Sequence, residues 1–448
     1  MKERSKHEQE LLDKASKYLP GGSLGNLTFS GKHAMVIERA KGSRVWDFSG
    51  NEYVDYLLGS GPMVLGHANK RINNAIATYL DRGSSYFVEN EPAILLAEEL
   101  CEAIPCADKV RYATSGTEAT FNCLRIARAY KKRDKILKFE GGYHGMHDYA
   151  VQSLYPGSRR TVAESISGNT VDLPDYPTPI PDVPGIPKET TDSVLIAPFN
   201  DLETTAEIIH KHRNELAAVI VEPMQRIIPP KAGFLEGLRK ITEENDILLI
   251  FDEVVTGFRL AYGGAQEYYG VIPDLMATAK IAGGGTPLSI IAGREDIMDL
   301  YNASSSEQDY VLQVGTFAAN PVSCVAALET IHQMREPGVY EQMFSTGNRL
   351  RKTLADLLSN AEIPHQIIGE DVLFDVFFTD RTISNYRDTL FAANETFEKE
   401  NRSKWNTTLL ENGVLKGGNK MYIGYCHNQD DIEHTVQAFK KAIEVVSS

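Results

Sequence analysis

The chain alternates between two kinds of apolar pattern, and the alternation divides it. After an N-terminal stretch, MKERSKHEQELLDKASKYLPGG, whose spacing predicts an amphipathic helix ending before Pro20, the segment HAMVIERAKGSRVWDFSGNEYVDYL alternates apolar and polar residues. Turn signals at Lys41-Gly42 and Ser49-Gly50 make it a small antiparallel meander. From about Ala93 to Val322 short, almost wholly apolar runs (DKVRYAT, KILKFE, SVLIAP, LAAVIVEP, ILLIFDEV) are separated by helical stretches. That rhythm predicts an α/β domain with a mainly parallel sheet, which places ligands at the carboxyl ends of its strands. Past Gly338 the helix-like EQMFSTGNRLRKTLADLLSN, strands around VLFDVFFT and KMYIGYC, and a helix from Asp430 predict an α+β unit. The expected division is therefore 1–75 and 336–448 as two parts of a small domain built from both chain ends, and 76–335 as the large domain. One segment breaks the rhythm: Tyr155 to Ser193 holds seven prolines, starting with Pro156, and reads as a surface excursion or an active-site flap.

Length and composition fit that picture and narrow the partners. A chain of 448 residues suits a large domain with a smaller companion. The net charge of −15, from 46 basic and 61 acidic residues, argues against nucleic acid or an anionic membrane as partner, although local amides still bind a small phosphate. Cys101, Cys106, Cys123, Cys324 and Cys426 form no CxxC pair and no zinc spacing, so reduced thiols in a cytoplasmic protein are expected. The charged N-terminus lacks an apolar signal core, and no membrane segment is expected.

Four short stretches carry chemistry. In ILLIFDEVV, Asp252 and Glu253 are the only polar residues, and an acid closing such a strand stands where ligands sit; Asp252 could equally cap the next element. In PDLMATAKIAGGGTPL, Lys280 lies between an apolar run and three glycines, a setting that lets backbone approach a ligand and favours the neutral amine an imine-forming nucleophile needs. YATSGTEATFNCLRIARAY places Ser115, Gly116 and Thr117 at a strand-to-helix junction suited to a phosphate, and the same string is an ordinary helix cap. KFEGGYHGMHD frees Tyr143 to lie on a flat ligand, with His144 beside it; His144 and His147 lack a third ligand at zinc spacing, so no metal is expected. A phosphate cradle, a stacking aromatic, an acid for a ring nitrogen and an imine-forming lysine together describe one cofactor, pyridoxal 5′-phosphate.

The chain resembles the class III aminotransferases of fold type I, and most nearly the branch that includes glutamate-1-semialdehyde 2,1-aminomutase. The resemblance runs almost end to end through YLPGG, GSRVWDFSGNEYVDY, LGHAN, RYATSGTEATFNCLRIARAY, KILKFEGGYHG, VEP, FDEVVTGFR, PDLMATAKIAGGG and GTFAANP. It implies that Ser115, Gly116 and Thr117 hold the cofactor phosphate, that Tyr143 stacks on the pyridine ring with His144 and Glu222 nearby, and that Asp252 meets the ring nitrogen with Val254 on the other face. Lys280 would be the Schiff-base lysine. Thr316 would reach the phosphate in a neighbouring subunit, so a homodimer with shared sites is implied. The implied activity is amino transfer between a small-molecule amine or amino acid and a keto or aldehyde acceptor. The aminomutase, a racemase or epimerase, and a non-catalytic sensor are the alternatives.

Two departures from that branch stand out. The aminomutase has an arginine for the substrate carboxylate where this chain has SLGNLTF, with Thr28 in the corresponding place, and Tyr422 replaces the family's C-terminal glutamate. After Glu222-Pro223 the chain reads MQRIIPPKAGF rather than a glycine-rich stretch, which makes Gln225 and Arg226 candidate substrate contacts. Ser84, Ser85 and Tyr86 of RGSSYF are further candidates for the substrate pocket.

Overall fold

A computed structural model describes residues 2–25, 27–155, 173–304 and 309–448. Most of the proline-rich excursion's first half, 156–172, lies outside the described residues. The strands, in chain order, are β1 Ile37–Lys41, β2 Arg44–Asp47, β3 Glu52–Asp55, β4 Lys109–Ala113, β5 Lys135–Phe139, β6 Val194–Ala197 and β7 Leu216–Val221. They continue with β8 Leu248–Asp252, β9 Leu275–Thr278, β10 Ser289–Gly293, β11 Gln366–Glu370, β12 Leu373–Phe377, β13 Val414–Leu415 and β14 Met421–Tyr422.

The chain divides into two compact units, Arg71–Pro337 with Thr382–Asn394, and Met1–Lys70 with Gly338–Arg381 and Glu395–Ser448. The larger unit is built on a seven-stranded sheet in the order β4-β10-β9-β8-β7-β5-β6. Only β10 runs against its neighbours. Every residue of β7 and β8 is buried, as apolar strands covered on both faces require. The helix Gly116–Lys131 lays Ala119, Cys123, Leu124, Ile126 and Ala127 into a core shared with Ile136, Ile220, Ile250 and Ile291. Because β5, β7, β8 and β9 are parallel, the chain leaves all four at one edge, and Tyr143, Glu222, Asp252 and Lys280 follow there.

Thr382–Asn394 lies within the stretch 336–448 of the sequence, yet it groups with the large unit for a specific reason. Arg387 donates two hydrogen bonds to Glu140, Nε to Oε2 at 2.7 Å and Nη2 to Oε1 at 2.9 Å. The Tyr386 ring occupies the space a side chain on Gly141 would take, 2.1 Å from where its Cβ would be. Burial of that paired carboxylate and the missing Cβ tie the helix Tyr386–Asn394 to the end of β5.

The smaller unit contains the antiparallel meander β1-β2-β3, and β13 from the far end of the chain adds to it in parallel with β3. A second sheet, β11-β12-β14, and the helices Val339–Asn360, Thr396–Glu411 and Gln429–Ser447 surround a core containing Trp405, Phe439, Phe378 and Phe374. Among the described residues no helix is long and apolar enough to cross a membrane, and all five cysteines are free thiols.

Candidate active site

Asp252 ends β8 buried, 4% exposed, and its neighbours decide which way its carboxylate is used. Oδ1 accepts the Val254 N–H at 3.1 Å, a short local turn of the kind an acid at a strand end makes. Oδ2 accepts a hydrogen bond from His144 Nδ1 at 2.7 Å. The imidazole is 1% exposed, and its Nε2 has no hydrogen-bond partner among the described residues. A buried carboxylate backed by one imidazole keeps an acceptor lone pair for a third group and is held in one orientation. Next along the sheet, Asp252 is the register partner of Ala277, three residues before Lys280. Lys280 leaves β9 with φ +52, so its side chain departs from the line of the strand, and it is half-buried.

Ser115 forms the N-cap of the helix Gly116–Lys131, its hydroxyl accepting the Glu118 N–H at 3.3 Å. Glu118 in turn accepts Thr114 N–H at 2.9 Å and the Thr114 hydroxyl at 2.8 Å. Both the cap reading and the anion reading of this string survive, since the first-turn N–H groups beyond the cap still point out of the helix end. A Cβ on Gly116 would come within 3.0 Å of both Val254 methyls, and one on Gly145, at φ +95, within 2.5 Å of Thr117 Oγ1. These two glycines bring the junction, Val254 and the Tyr143-His144 turn into direct contact, and Met146 N–H donates to Thr117 Oγ1 at 3.2 Å.

The turn carrying Tyr143 is held from the side by the segment after β7. Glu222 Oε1 accepts the Tyr143 N–H at 2.5 Å and Oε2 the Arg226 N–H at 3.0 Å. Gln225 Nε2 donates to Glu140 O at 2.6 Å, and Arg226 Nε to Gly141 O at 2.8 Å. The Tyr143 side chain remains 40% exposed, as a ring must be to meet a ligand. Burial, reinforced by the nearby Tyr155 hydroxyl, raises its phenol above the usual range, so it acts as a neutral ring.

The remaining candidates lie elsewhere. Ser85, Tyr86 and Thr316, 231 residues apart in sequence at the extremes, line one cavity of about 450 Å³ with Asn90, Arg111 and Gln313. None of Lys280, Asp252 or Tyr143 lines it. The Tyr86 hydroxyl donates to Arg82 O at 2.5 Å, and Ser84 O accepts from Asn320 Nδ2 at 2.5 Å. Around this cavity Phe87, Val88, Ile94, Leu312, Val314 and Phe317 are exposed. In the smaller unit, the Thr28 hydroxyl lies 2.8 Å from that of Ser23, and Tyr422 is buried on β14.

Three buried ionisable residues near the site have environments that the sequence did not specify. Glu253, beside Asp252, faces the opposite way into the core, where it accepts Ala265 N–H at 2.6 Å, Gln266 Nε2 at 3.0 Å and Thr256 Oγ1 at 3.1 Å. Burial pushes it up to about 7 despite those bonds. Period-two alternation at the strand end was the one available hint. Lys138, fully buried on β5, donates to Gln152 O at 2.6 Å, and burial lowers it to about 7. His147 is pushed down to about 3, first by burial and then by His144, so it is neutral. Among the described residues no group of three or more metal-ligating side chains is assembled.

With this geometry in view, the likeness to known proteins is specific. Residues 29–443 match the family model for class III aminotransferases. The chain belongs to that family. It is 38% identical over 441 residues to glutamate-1-semialdehyde 2,1-aminomutase of Methanosphaera stadtmanae, covering 97% of each protein. An ω-transaminase from Sphaerobacter thermophilus superposes with a TM-score of 0.91 at 31% identity, covering 100% of this chain and 99% of that one. A transaminase with PLP bound superposes at 0.85 and 26% identity, over 98% and 97%. The fold is therefore fold type I, and the class III aminotransferases use pyridoxal 5′-phosphate, the cofactor the motifs imply. The residues fit it: the buried Asp252 backed by His144, the open ring of Tyr143 and the helix start at Ser115, against which two glycines let Val254 and the Tyr143-His144 turn pack, form a set in which each part has a counterpart on that molecule.

Proposed function

We propose that this class III aminotransferase moves an amino group between an amine or amino acid and a keto or aldehyde acceptor, with Lys280 as its nucleophile and proton carrier. The observation that carries the reading is the Asp252–His144 pair, buried at the end of β8 one strand from Lys280. Pyridoxal phosphate, when bound, supplies an electron sink for the carbanion that forms when a substrate C–H is broken. The Ser115, Gly116 and Thr117 turn binds its phosphate through helix N–H groups and hydroxyls. Tyr143 and Val254 would hold the ring, and Asp252 would favour a protonated ring nitrogen, because a carboxylate favours the charged form of a base beside it. His144, donating to Asp252, holds that carboxylate in one orientation. Lys280 Nζ would take the proton from the substrate carbon and later give it back to carbon, acting as base and then acid.

A homodimer with shared sites is part of this reading. It is supported by the exposed Phe87, Val88, Val314 and Phe317 around the cavity that holds Thr316, since apolar surface of that extent on one face of a protein marks an interface. Size measurement in solution tests it: a stable monomer at micromolar concentration contradicts it.

Intramolecular amino transfer is the second reading, favoured by the 38% identity to an aminomutase. Thr28 and Tyr422, where that branch has an arginine and a glutamate, favour the first. Turnover with and without an added amino acceptor separates them. Dependence on the acceptor is expected, and full turnover of one substrate alone would establish the aminomutase.

A further inference from the structure

The five residues after the end of β7, Glu222 to Arg226, make three hydrogen bonds to the connection that carries Tyr143: Gln225 donates to Glu140 O, Arg226 donates to Gly141 O, and Glu222 accepts the Tyr143 N–H. Arg226 is the odd member. Its backbone has φ +62, a conformation that strains a residue with a Cβ and that a glycine would take freely. Its guanidinium lies 5.4 Å from the Tyr143 ring centre and 5.3 Å from that of Tyr155, both within cation–π range. Burial is the largest single influence and works against the charge, but Glu222 together with the Tyr386 and Tyr155 hydroxyls outweighs it and raises the guanidinium above its usual value, so Arg226 is a cation. Nη2 is buried with no hydrogen-bond partner among the described residues. A side chain kept in strained backbone, buried and charged, is over-determined by its surroundings, and here those surroundings are the Tyr143 turn.

We propose that Arg226 is a positioning residue: with Glu222 as its counter-ion it clasps the Gly141–Tyr143 turn and fixes the Tyr143 ring against the cofactor. The inference rests on the placement of Tyr143 over the cofactor ring. It replaces a substrate contact as the role of Arg226, because Nε is committed to Gly141 O and the guanidinium is packed among tyrosine rings. Gly141 is held from its other side by Tyr386, so releasing Arg226 frees one flank of the turn.

The test uses the full-length holoenzyme and the variants Arg226→Gly, Arg226→Lys and Tyr143→Ala, with thermal unfolding, the dissociation constant for pyridoxal phosphate and the visible circular dichroism of the bound cofactor. Arg226→Gly relieves the backbone strain and should unfold at the wild-type temperature or above it. It should nevertheless bind the cofactor about tenfold more weakly, the loss expected from one charge-assisted hydrogen bond, with an altered dichroic band. Arg226→Lys should recover part of both. In the Tyr143→Ala background, Arg226→Gly should add almost nothing, because the ring it positions is gone. Fully additive effects, or an unchanged dissociation constant and dichroism in Arg226→Gly with a raised KM for the amine, would overturn the proposal. A wild-type protein that binds no pyridoxal phosphate would instead overturn the reading on which it rests.

Discussion

Two buried charged pairs, one in each unit, are held in opposite ways. In the smaller one, Lys416 is 6% exposed and its ammonium donates to Asp375 Oδ2 at 2.6 Å and to the carbonyls of Gly417 and Gly418 at 3.0 Å each. All three donors are used, so the group is closed to any further partner. In the larger one, the Asp252–His144 pair is equally buried, yet His144 Nε2 is left without a described partner, and the neighbouring Arg226 Nη2 and Gln225 Oε1 share that state. A saturated buried ion pair belongs to folding. Buried polar atoms with capacity to spare, gathered at the carboxyl edge of a parallel sheet, belong to a ligand.

Substitutions on the two sides should therefore separate stability from chemistry. Lys280→Ala should reduce amino transfer by about 10⁴-fold with an unchanged unfolding temperature, measured by steady-state kinetics and calorimetry, since it removes nucleophile and proton carrier together. Lys416→Met should do the reverse. Leaving Asp375 buried and unpaired costs about 3–5 kcal/mol in urea unfolding, while kcat per folded molecule stays near wild type. If Lys416→Met instead lost activity without losing stability, the contrast between the units would collapse. Asp252→Asn keeps the shape but loses the charge that, on the proposed function, holds the ring nitrogen protonated, and kcat should fall about 10²-fold with little change in KM.

The finest form of the comparison lies between two adjacent residues. Asp252 faces the site and Glu253 faces the core, where burial raises it from 4.5 to about 7. A carboxyl whose folded value is raised contributes stability that is fully present below the unfolded value, near 4.5, and is lost as pH rises through about 7. Glu253→Gln should remove that slope. The difference in unfolding free energy between wild type and variant should shift by about 1–3 kcal/mol across this window, in the variant's favour toward higher pH, and a pH-independent difference would contradict the assignment.

Much of this organisation was legible because it was local. The meander over β1 to β3, the apolar strands of the large sheet and the SGT helix cap are each written in a few consecutive residues, and the structure places them as the periodicity predicts. What escaped was long-range. Glu140 and Arg387 are 247 residues apart, so nothing in KFEGG or NYRD announces that they meet and draw Thr382–Asn394 into the large unit. The His144–Asp252 bond spans 108 residues, so the sequence placed His144 beside the cofactor without showing that it meets Asp252. Gln225 and Arg226 were visible as an unusual string, but their grip on the Tyr143 turn depends on β5 and β7 being sheet neighbours.

The most direct measurement is the absorption spectrum of the purified protein with pyridoxal phosphate, before and after a panel of amines and amino acids, beside Lys280→Ala. The account predicts a cofactor band at the violet edge of the visible that shifts to the pyridoxamine form with particular donors in the wild type, and is not turned over in the variant. A protein that stays colourless with the cofactor supplied, or a Lys280→Ala variant that converts donors as fast as wild type, would contradict it.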